Sequence, residues 1–542
     1  MRILFLLLAG ASLSLNAIAQ NEGHISGNIQ ANFQLYEPDS LIGAVDVPEK
    51  MLFNGFANVN YVKGDFKAGI RYESYQNVML GIDPRYKGEG ITYRYASYTD
   101  NGLDITVGNF YEQFGSGMIF RSYEAPALGY DNMMDGFKIG YKITNGIYIK
   151  GIIGRQRLYF EKGDGIVRGI DGEFSLNEVI PALANAKTKI ILGASAVSKY
   201  EADNDPIYNY PENVMSGAGR IQLQRGGFML NSEYMYKIND PSADNNDIYK
   251  PGHGLLVNAS YAQKGFGVVL GAKRIDNLSF RSQRAAVNQD VMINYLPSLS
   301  KQHTYALAAF YPNATQPTGE MAIQGELFYK IKKKTMLGGK YGTNLSLNFS
   351  KSLDIDRMPL NDSTTVDESG TLGYTSSFFT SGKRDFYQDF NIEINRKINK
   401  KLRIIGTYMN LEYNKFLQGK NGMVLANIFI LEAQYKIKSK RSIRTELQYM
   451  STSKDMGSWS MALIEYTMAP HWFVAVQDQF NHGNTNKDLR IHYYTLSTGY
   501  TKGAHRIAVN YGKQRAGIFC VGGVCREVPA SKGLSVSITS SF

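Results

Sequence analysis

The chain ends in Ser531-Lys532-Gly533-Leu534-Ser535-Val536-Ser537-Ile538-Thr539-Ser540-Ser541-Phe542, a segment in which apolar and hydroxyl side chains alternate. Successive side chains of a β-strand point to opposite faces, so Leu534, Val536 and Ile538 share one face with the terminal Phe542. Serine and threonine side chains occupy the opposite face. The segment therefore predicts a strand with one face suited to lipid and the other suited to water.

The same two-residue period recurs through the chain, for example in residues 66–73, 431–438 and 443–449. A soluble β-sandwich alternates in the same way, so alternation alone does not decide between the two classes. The lengths of the connections decide it, because barrels of bacterial outer membranes have short turns at one end and long loops at the other.

Short turns and long connections alternate along this sequence. The short turns lie at residues 63–65, 100–102, 145–146, 184–187, 225–226, 264–265, 332–334, 399–400, 438–440, 469–470 and 502–503. The long connections include 111–135, 275–318 and 352–384. This arrangement predicts an all-β fold, a transmembrane antiparallel β-barrel of about 24 strands, within a range of about 22 to 26. The run Tyr305–Phe310 fits either an inward hairpin arm or an additional spanning strand.

A helical membrane protein is excluded by the length of the apolar runs. A spanning helix needs about 20 consecutive apolar residues. Beyond the first twenty residues, the longest apolar runs, such as Tyr305–Tyr311 and Ile428–Leu431, contain only a few residues each.

The first nineteen residues predict a cleaved secretory signal. Arg2 supplies the positive charge, an apolar run follows, and Ala17-Ile18-Ala19 offers a cleavage site before Gln20. The alternative, a retained helical anchor, fits less well because Asn16 interrupts the run too early for a span.

Residues 20–542 are expected to form a single barrel. Its first strand is predicted around His24–Tyr36, which leaves no room for an N-terminal plug domain. A transporter of the TonB-dependent class is therefore disfavoured.

Several function classes are not supported by the composition. The formal net charge is +11, but the basic residues are spread over turns and strand faces, so no nucleic-acid partner is predicted. The seven histidines are scattered and none lies in a nucleophile or metal motif, so we predict no enzyme, no metal and no cofactor. Cys520 and Cys525 predict a local disulfide in an exported protein, since a metal site there lacks further ligands.

The inner face of so wide a barrel is expected to line a channel or to be filled. On strand 66–73, Arg71 and Glu73 face inward. The connection 111–135 is the candidate constriction, by analogy with the inward loops of general porins. The pore-lining or constriction candidates are Arg71, Glu73, Glu112, Arg121, Glu124, Asp131 and Asp135. The alternative is that this connection folds over the outer rim.

Two stretches carry a resemblance to a known family. The first runs from Gly108 to Gly117 and continues through Arg121-Ser122-Tyr123-Glu124 to Asp131-Asn132. The second contains Tyr511-Gly512, the segment 520–526 and the final strand. Together they resemble uncharacterised, porin-like outer-membrane β-barrels of Bacteroidota. The resemblance implies the fold and an outer-membrane location but no catalytic residue.

The function that these patterns favour is an outer-membrane channel for passive passage of hydrophilic solutes. The alternative is a non-transporting barrel subunit of an outer-membrane assembly, secretion or surface complex. The expected partners are outer-membrane lipid, hydrophilic solutes and possible outer-membrane proteins. Asp39-Ser40-Leu41 and Asp362-Ser363-Thr364 resemble O-glycosylation acceptor patterns of that phylum.

Overall fold

The computed structural model describes residues 23–521 and 524–542, which form a closed antiparallel barrel of 24 strands. The first half of the strands comprises β1 (His24–Tyr36), β2 (Met51–Lys63), β3 (Phe66–Gln76), β4 (Gly88–Asp100), β5 (Leu103–Phe110), β6 (Glu112–Phe114), β7 (Phe120–Ser122), β8 (Glu124–Ala125), β9 (Tyr130–Asp131), β10 (Met134–Thr144), β11 (Ile147–Leu158), β12 (Glu161–Ser175), β13 (Thr188–Tyr200), β14 (Asn213–Arg225) and β15 (Phe228–Lys237). The second half comprises β16 (Gly252–Gln263), β17 (Phe266–Asp276), β18 (Gly319–Ile331), β19 (Thr343–Met358), β20 (Thr375–Lys397), β21 (Leu402–Asn414), β22 (Met423–Lys438), β23 (Arg441–Ser451), β24 (Trp459–Met468), β25 (Trp472–Phe480), β26 (His492–Lys502), β27 (His505–Gln514), β28 (Gly517–Val521), β29 (Val524–Val528) and β30 (Ser531–Ser541).

Six of these strands lie outside the barrel sheet and form three small hairpins, β6 with β7, β8 with β9, and β28 with β29. The described residues also contain one four-residue α-helix, α1 (Leu176–Val179). None of the described helices has the length and apolar character needed to cross a membrane. The all-β class and the predicted number of strands are both confirmed.

The barrel closes where the first strand meets the last. β1 pairs with β2 on one side and with β30 on the other, from Asn28 opposite Ser541 to Tyr36 opposite Gly533. Gly27 and Phe542 exchange two backbone hydrogen bonds, of 2.9 and 3.0 Å. A Cβ atom at Gly27 would lie 2.5 Å from the Phe542 ring and 2.6 Å from a backbone oxygen, so the seam requires glycine there.

The two ends of the barrel differ as the sequence predicts. All eleven predicted turns lie at the end that also holds His24 and Phe542, which we call the turn end. The opposite end, the loop end, carries the long connections. β19 and β20 extend beyond their neighbours there, so the connection between them is shorter than the predicted 352–384. Tyr305–Phe310 lies in the connection between β17 and β18 and forms no strand.

The outward face is apolar and exposed, as Leu447, Ile464 and Ile507 illustrate. The inward face carries the polar side chains that alternate with these apolar ones. Examples are Glu446, which precedes the outward Leu447, and Asn510, which lies on the face opposite Ile507. This is the arrangement of a barrel that has lipid around it and polar groups in its lumen.

Two predictions are not tested by the described part of the chain. The signal peptide, residues 1–19, precedes residue 23. The backbone pairs Cys520 with Cys525 across the β28–β29 hairpin, but their side chains are not among those described. The disulfide and the boundary at residue 20 therefore remain predictions.

The final strand allows a direct test of which face meets lipid. Val536→Arg places a charge on the outward face near the middle of β30, and we expect it to lower the free energy of unfolding by about 2–4 kcal/mol. Ser535→Arg, one residue away on the inward face, is the matched control and should cost less than about 1 kcal/mol. Urea titration of the protein folded into phospholipid vesicles measures both, and equal losses would contradict the assignment of faces.

Candidate functional site

The lumen is the candidate functional site, and two connections fold into it. The first lumen loop is residues 111–133, between β5 and β10, and the second lumen loop is residues 277–318, between β17 and β18. In the first loop Phe114, Met118 and Phe120 are fully buried. They belong to a cluster with inward side chains of the barrel wall, namely Val167, Val197, Met235, Leu256 and Ile275. The first loop therefore lies inside the barrel rather than over its rim.

A network of charged groups holds the first lumen loop near the loop end. Arg157 of β11 donates to Glu73 of β3 at 2.7 Å and to Asp131 of the loop at 2.9 Å. Arg71 also contacts Glu73, at 2.8 Å, and Asp131, at 2.5 Å, and it pairs with Glu124. Four of the seven sequence candidates, Arg71, Glu73, Glu124 and Asp131, thus meet in one network. Arg157 is the member that sequence reasoning missed.

The other three candidates lie apart from this network. Glu112 faces two inward lysines, 3.5 Å from Lys138 and 3.0 Å from Lys150. The guanidinium of Arg121 is stacked between the rings of Tyr123 and Tyr295, 4.3 and 4.2 Å from the ring centroids.

Asp135 does not line the lumen. It alternates in β10 with Met134, which is buried inside, and shares the outward face with the exposed Phe137 and Tyr141. Its carboxylate contacts Lys162 at 2.7 Å on the outer wall. We therefore leave Asp135 out of the constriction.

The two lumen loops bind each other through their backbones. Arg121 donates its amide to the carbonyl of Ile293 at 2.9 Å, and Tyr295 donates to Gly117 at 3.0 Å. The side chain of Asn132 donates to the carbonyl of Met292 at 2.7 Å. These hydrogen bonds join the two loops into one structural unit inside the lumen.

The second lumen loop then crosses to the far wall. Its residues Leu307, Phe310 and Tyr311 are buried against the inward face of β21 to β24, in a cluster that includes Met409, Leu411, Ile428, Met450 and Trp459. The Leu307 amide donates to the Gln448 side chain at 2.8 Å. The hydroxyl of Tyr311 donates to Asp455 at 3.0 Å, and burial raises the pKa of this phenol, so that it stays protonated.

Buried polar contacts fix the path of the second lumen loop between these ends. Lys273 pairs with Glu320 at 2.8 Å at the base of the loop and donates to the carbonyl of Pro297 at 2.6 Å. Further along, His303 contacts the buried Asp389 at 2.7 Å. Each partner supplies the hydrogen bonds that the buried charge loses when it leaves water. The loop therefore has one favoured position.

One sector of the wall is different, and we call it the amide wall. It consists of the inward faces of β25 to β27, β30, β1 and β2, where amide and hydroxyl side chains predominate. Examples are Gln30, Asn32, Gln34, Gln477, Asn510 and Ser537, all of which keep part of their surface accessible. Arg506, near the turn end, is the one formally charged side chain on the inward faces of these described strands.

A cavity of about 780 Å³ opens at the loop end beside Tyr86, Arg157 and Asp290. A second cavity, of about 580 Å³, lies between the amide wall and the second lumen loop, with Gln34, Gln477 and Thr495 on one side and Ala306 and Ala309 on the other. We call the inward faces of β3 and of β10 to β24, against which the two lumen loops pack and pair, the charged wall. The lumen is thus packed along the charged wall and open to solvent along the amide wall. No group of three or more metal-binding side chains occurs among the described residues.

The sequence contains a signal for the docked loop. Around Ile428–Leu431, β22 is apolar on both faces, which is typical of a strand that is covered on both sides. The segment that covers its inner face is Tyr305–Tyr311. Tyr305–Tyr311, the longest apolar run of residues 23–542, therefore packs against the part of β22 that is apolar on both faces.

Comparison with known proteins places the chain in a family and a fold. A family profile described as "Family of unknown function (DUF6029)" matches residues 1–542. No curated protein matches the chain. A chain of the E. coli P pilus tip assembly intermediate PapC-PapD-PapK-PapG is similar in structure, with a TM-score of 0.50 and 9% identity over 98% of this chain and 62% of that chain.

Two further structures are less similar. The PapC usher translocation pore has a TM-score of 0.46 and 8% identity, over 95% of this chain and 99% of that chain. The ferric enterobactin receptor PfeA of Pseudomonas aeruginosa has a TM-score of 0.43 and 9% identity, over 97% and 81%. At these identities the likeness concerns the fold alone, that of a large outer-membrane β-barrel.

The docking of the second lumen loop is testable without any assay of function. Leu307→Asp buries a carboxylate among apolar side chains, so we expect the loop arm to detach and amide exchange in residues 303–312 to rise at least tenfold. Exchange in β21 and β22 should stay slow, because their ladders do not depend on the loop. Leu372→Asp, in an exposed connection, is the control. Unchanged exchange in residues 303–312 would show that the arm is not held by Leu307.

Proposed function

We propose that this chain, which belongs to the DUF6029 family, is an outer-membrane channel through which small hydrophilic solutes pass passively along the amide wall. The observation that carries the proposal is the uneven filling of the lumen. Loops cover the charged wall and leave accessible amide and hydroxyl groups on the opposite wall. Such groups exchange hydrogen bonds with water and with polar solutes at little cost.

The proposed orientation follows from the two ends. The turn end faces the periplasm and the loop end faces the exterior, as in other barrels of this membrane. A solute would enter beside the cavity near Tyr86 and Asp290, pass the second lumen loop at Ala306 and Ala309, and leave past Arg506. The second lumen loop then sets the width of the passage.

Planar-bilayer recording of the purified full-length protein tests this function. We expect small, discrete conductance steps for the natural chain. Replacing residues 303–312 by a short Gly-Ser linker removes the arm that narrows the lumen, and we expect the conductance to rise several-fold. Replacing residues 361–370, in the exposed connection between β19 and β20, by the same linker is the control and should leave it unchanged. A natural chain and an arm-deleted variant that are both silent would refute the channel.

Charge along the amide wall is expected to be set by Arg506, the one formally charged side chain on the inward faces of its described strands. Arg506→Gln removes this cation from the proposed passage, so the variant should shift the reversal potential in a KCl gradient toward cation selectivity. Arg441→Gln removes the same charge from an exposed position at the turn end of β23 and should not shift it. An unchanged reversal potential in Arg506→Gln would place the permeation path elsewhere.

A barrel subunit of a surface complex is the second candidate, favoured by exposed apolar side chains on the loop end. Phe379 is 88% exposed and Ile207 is 81% exposed, an unusual state for apolar residues in contact with water. If they bind a partner, mild-detergent purification yields a stoichiometric complex that Phe379→Ser weakens. A homogeneous barrel without partners would favour the channel.

A further inference from the structure

Four cationic side chains lie together on the outer wall of the barrel, outside the lumen. They are Arg94 of β4, Arg155 of β11, and Lys162 and Arg168 of β12, and all four are exposed. Arg94, Arg155 and Lys162 flank Asp135 of β10, and Arg168 lies one outward-facing position further along β12 toward the turn end. We call this set the outer basic patch.

The strand registers support the outward position of the patch. Arg155 is the cross-strand partner of Asp135, and Ile153 is the partner of Phe137, two residues closer to the turn end. Because residues two apart on a strand share a face, Arg155 points outward together with the exposed Ile153. Arg168 pairs with Ile153 in turn, so it is a diagonal neighbour of Arg155. Diagonal neighbours of this kind lie within reach of long side chains. The guanidinium groups of Arg155 and Arg168 can therefore bind the same ligand.

The patch has more positive charge than its one carboxylate can balance. Asp135 lies 2.7 Å from Lys162 and 3.8 Å from Arg94. Within residues 23–521 and 524–542, Arg155 and Arg168 form no ion pair. The nearest further carboxylates along β12 are Glu161 and Asp164, which lie closer to the loop end. Asp164 is 3.5 Å from Gln283 of the second lumen loop rather than against an arginine.

The patch borders the apolar outer surface. Along the same strands toward the turn end follow Tyr98, Phe137, Ile153 and Ile170, all exposed. Arginine and lysine at such a border direct their charges to the headgroup layer while their stems cover apolar surface. An uncompensated guanidinium there is stabilised by an anion, and its planar donors match a phosphate group in two-point contact.

We propose that the outer basic patch binds the phosphate groups of a lipid headgroup in the outer leaflet. The phosphate sits between Arg155 and Arg168, and the acyl chains lie on Phe137, Ile153 and Ile170. Arg94 and Lys162 contribute a second phosphate contact on either side of Asp135. The site does not depend on whether the lumen conducts solutes.

Native mass spectrometry of the full-length protein in neutral detergent tests the site. The probe is lipid A that carries both phosphate groups. We expect one or more molecules to stay bound to the natural chain, and the bound fraction to fall at least fivefold for the double variant Arg155→Gln with Arg168→Gln. Both side chains are exposed, and retention of the folded barrel is checked by the shift in electrophoretic mobility on heating.

One control variant and two further ligands test whether the patch recognises the phosphate of a lipid. Arg225→Gln with Arg441→Gln removes two exposed arginines at the turn end and should leave binding unchanged. Dephosphorylated lipid A should bind at least fivefold less, which attributes recognition to the phosphate.

Inorganic phosphate at millimolar concentration should not displace the lipid. Full displacement would mean that the site takes free phosphate, and equal binding of the dephosphorylated lipid would mean a purely apolar contact. Either result overturns the proposal, as does undiminished binding by the Arg155→Gln with Arg168→Gln variant.

Discussion

The structure depends on one requirement, that every backbone amide and carbonyl in contact with hydrocarbon has a hydrogen-bond partner within the protein. A sheet meets this requirement only by closing, which here means that β1 pairs with β30 and that Gly27 and Phe542 complete the seam. Closure at 24 strands then fixes the width of the barrel. A ring of this size encloses far more space than the side chains of its own wall can fill. What occupies the lumen is therefore the central physical question.

Two connections provide the occupant, and apolar burial together with charge pairing determines how they dock. The apolar clusters around Phe114 and Leu307 supply the driving force, since each fully buried large side chain contributes about 1.5–3 kcal/mol. The ion pairs contribute specificity more than stability, because the cost of removing charges from water offsets most of their attraction. Arg157 with Glu73 and Asp131 illustrates this, since a loop shifted by one residue would leave buried charges without partners.

The sequence predicts the wall far better than the lumen, for a physical reason. Alternation and turn chemistry are local properties, so the strand count and all eleven turns follow from residues close together in the chain. The path of a long loop inside a barrel is set by contacts between distant residues, such as Leu307 with Gln448, and no local pattern encodes it. Even so, the inward apolar residues of β22 required a cover, and Tyr305–Tyr311 is the longest apolar run of residues 23–542. Asp135 shows why membership of a segment does not predict the direction of a side chain. It follows the first lumen loop directly in sequence, but its side chain points out of the barrel.

The distribution of charged side chains explains how one barrel contacts water in its lumen and lipid around its outer wall. Inside, most carboxylates and bases of the charged wall neutralise each other against the docked loops, as Lys273 and Glu320 do, which leaves an amide wall with little formal charge. The excess of basic over acidic side chains, which gives the net charge of +11, must then lie largely outside the lumen. It occurs in the lysines of the turns and in the outer basic patch, where Arg155 and Arg168 form no ion pair with any described carboxylate. In the proposed lipid site this positive charge binds the phosphate groups of the membrane, whereas inside the lumen it would repel cations.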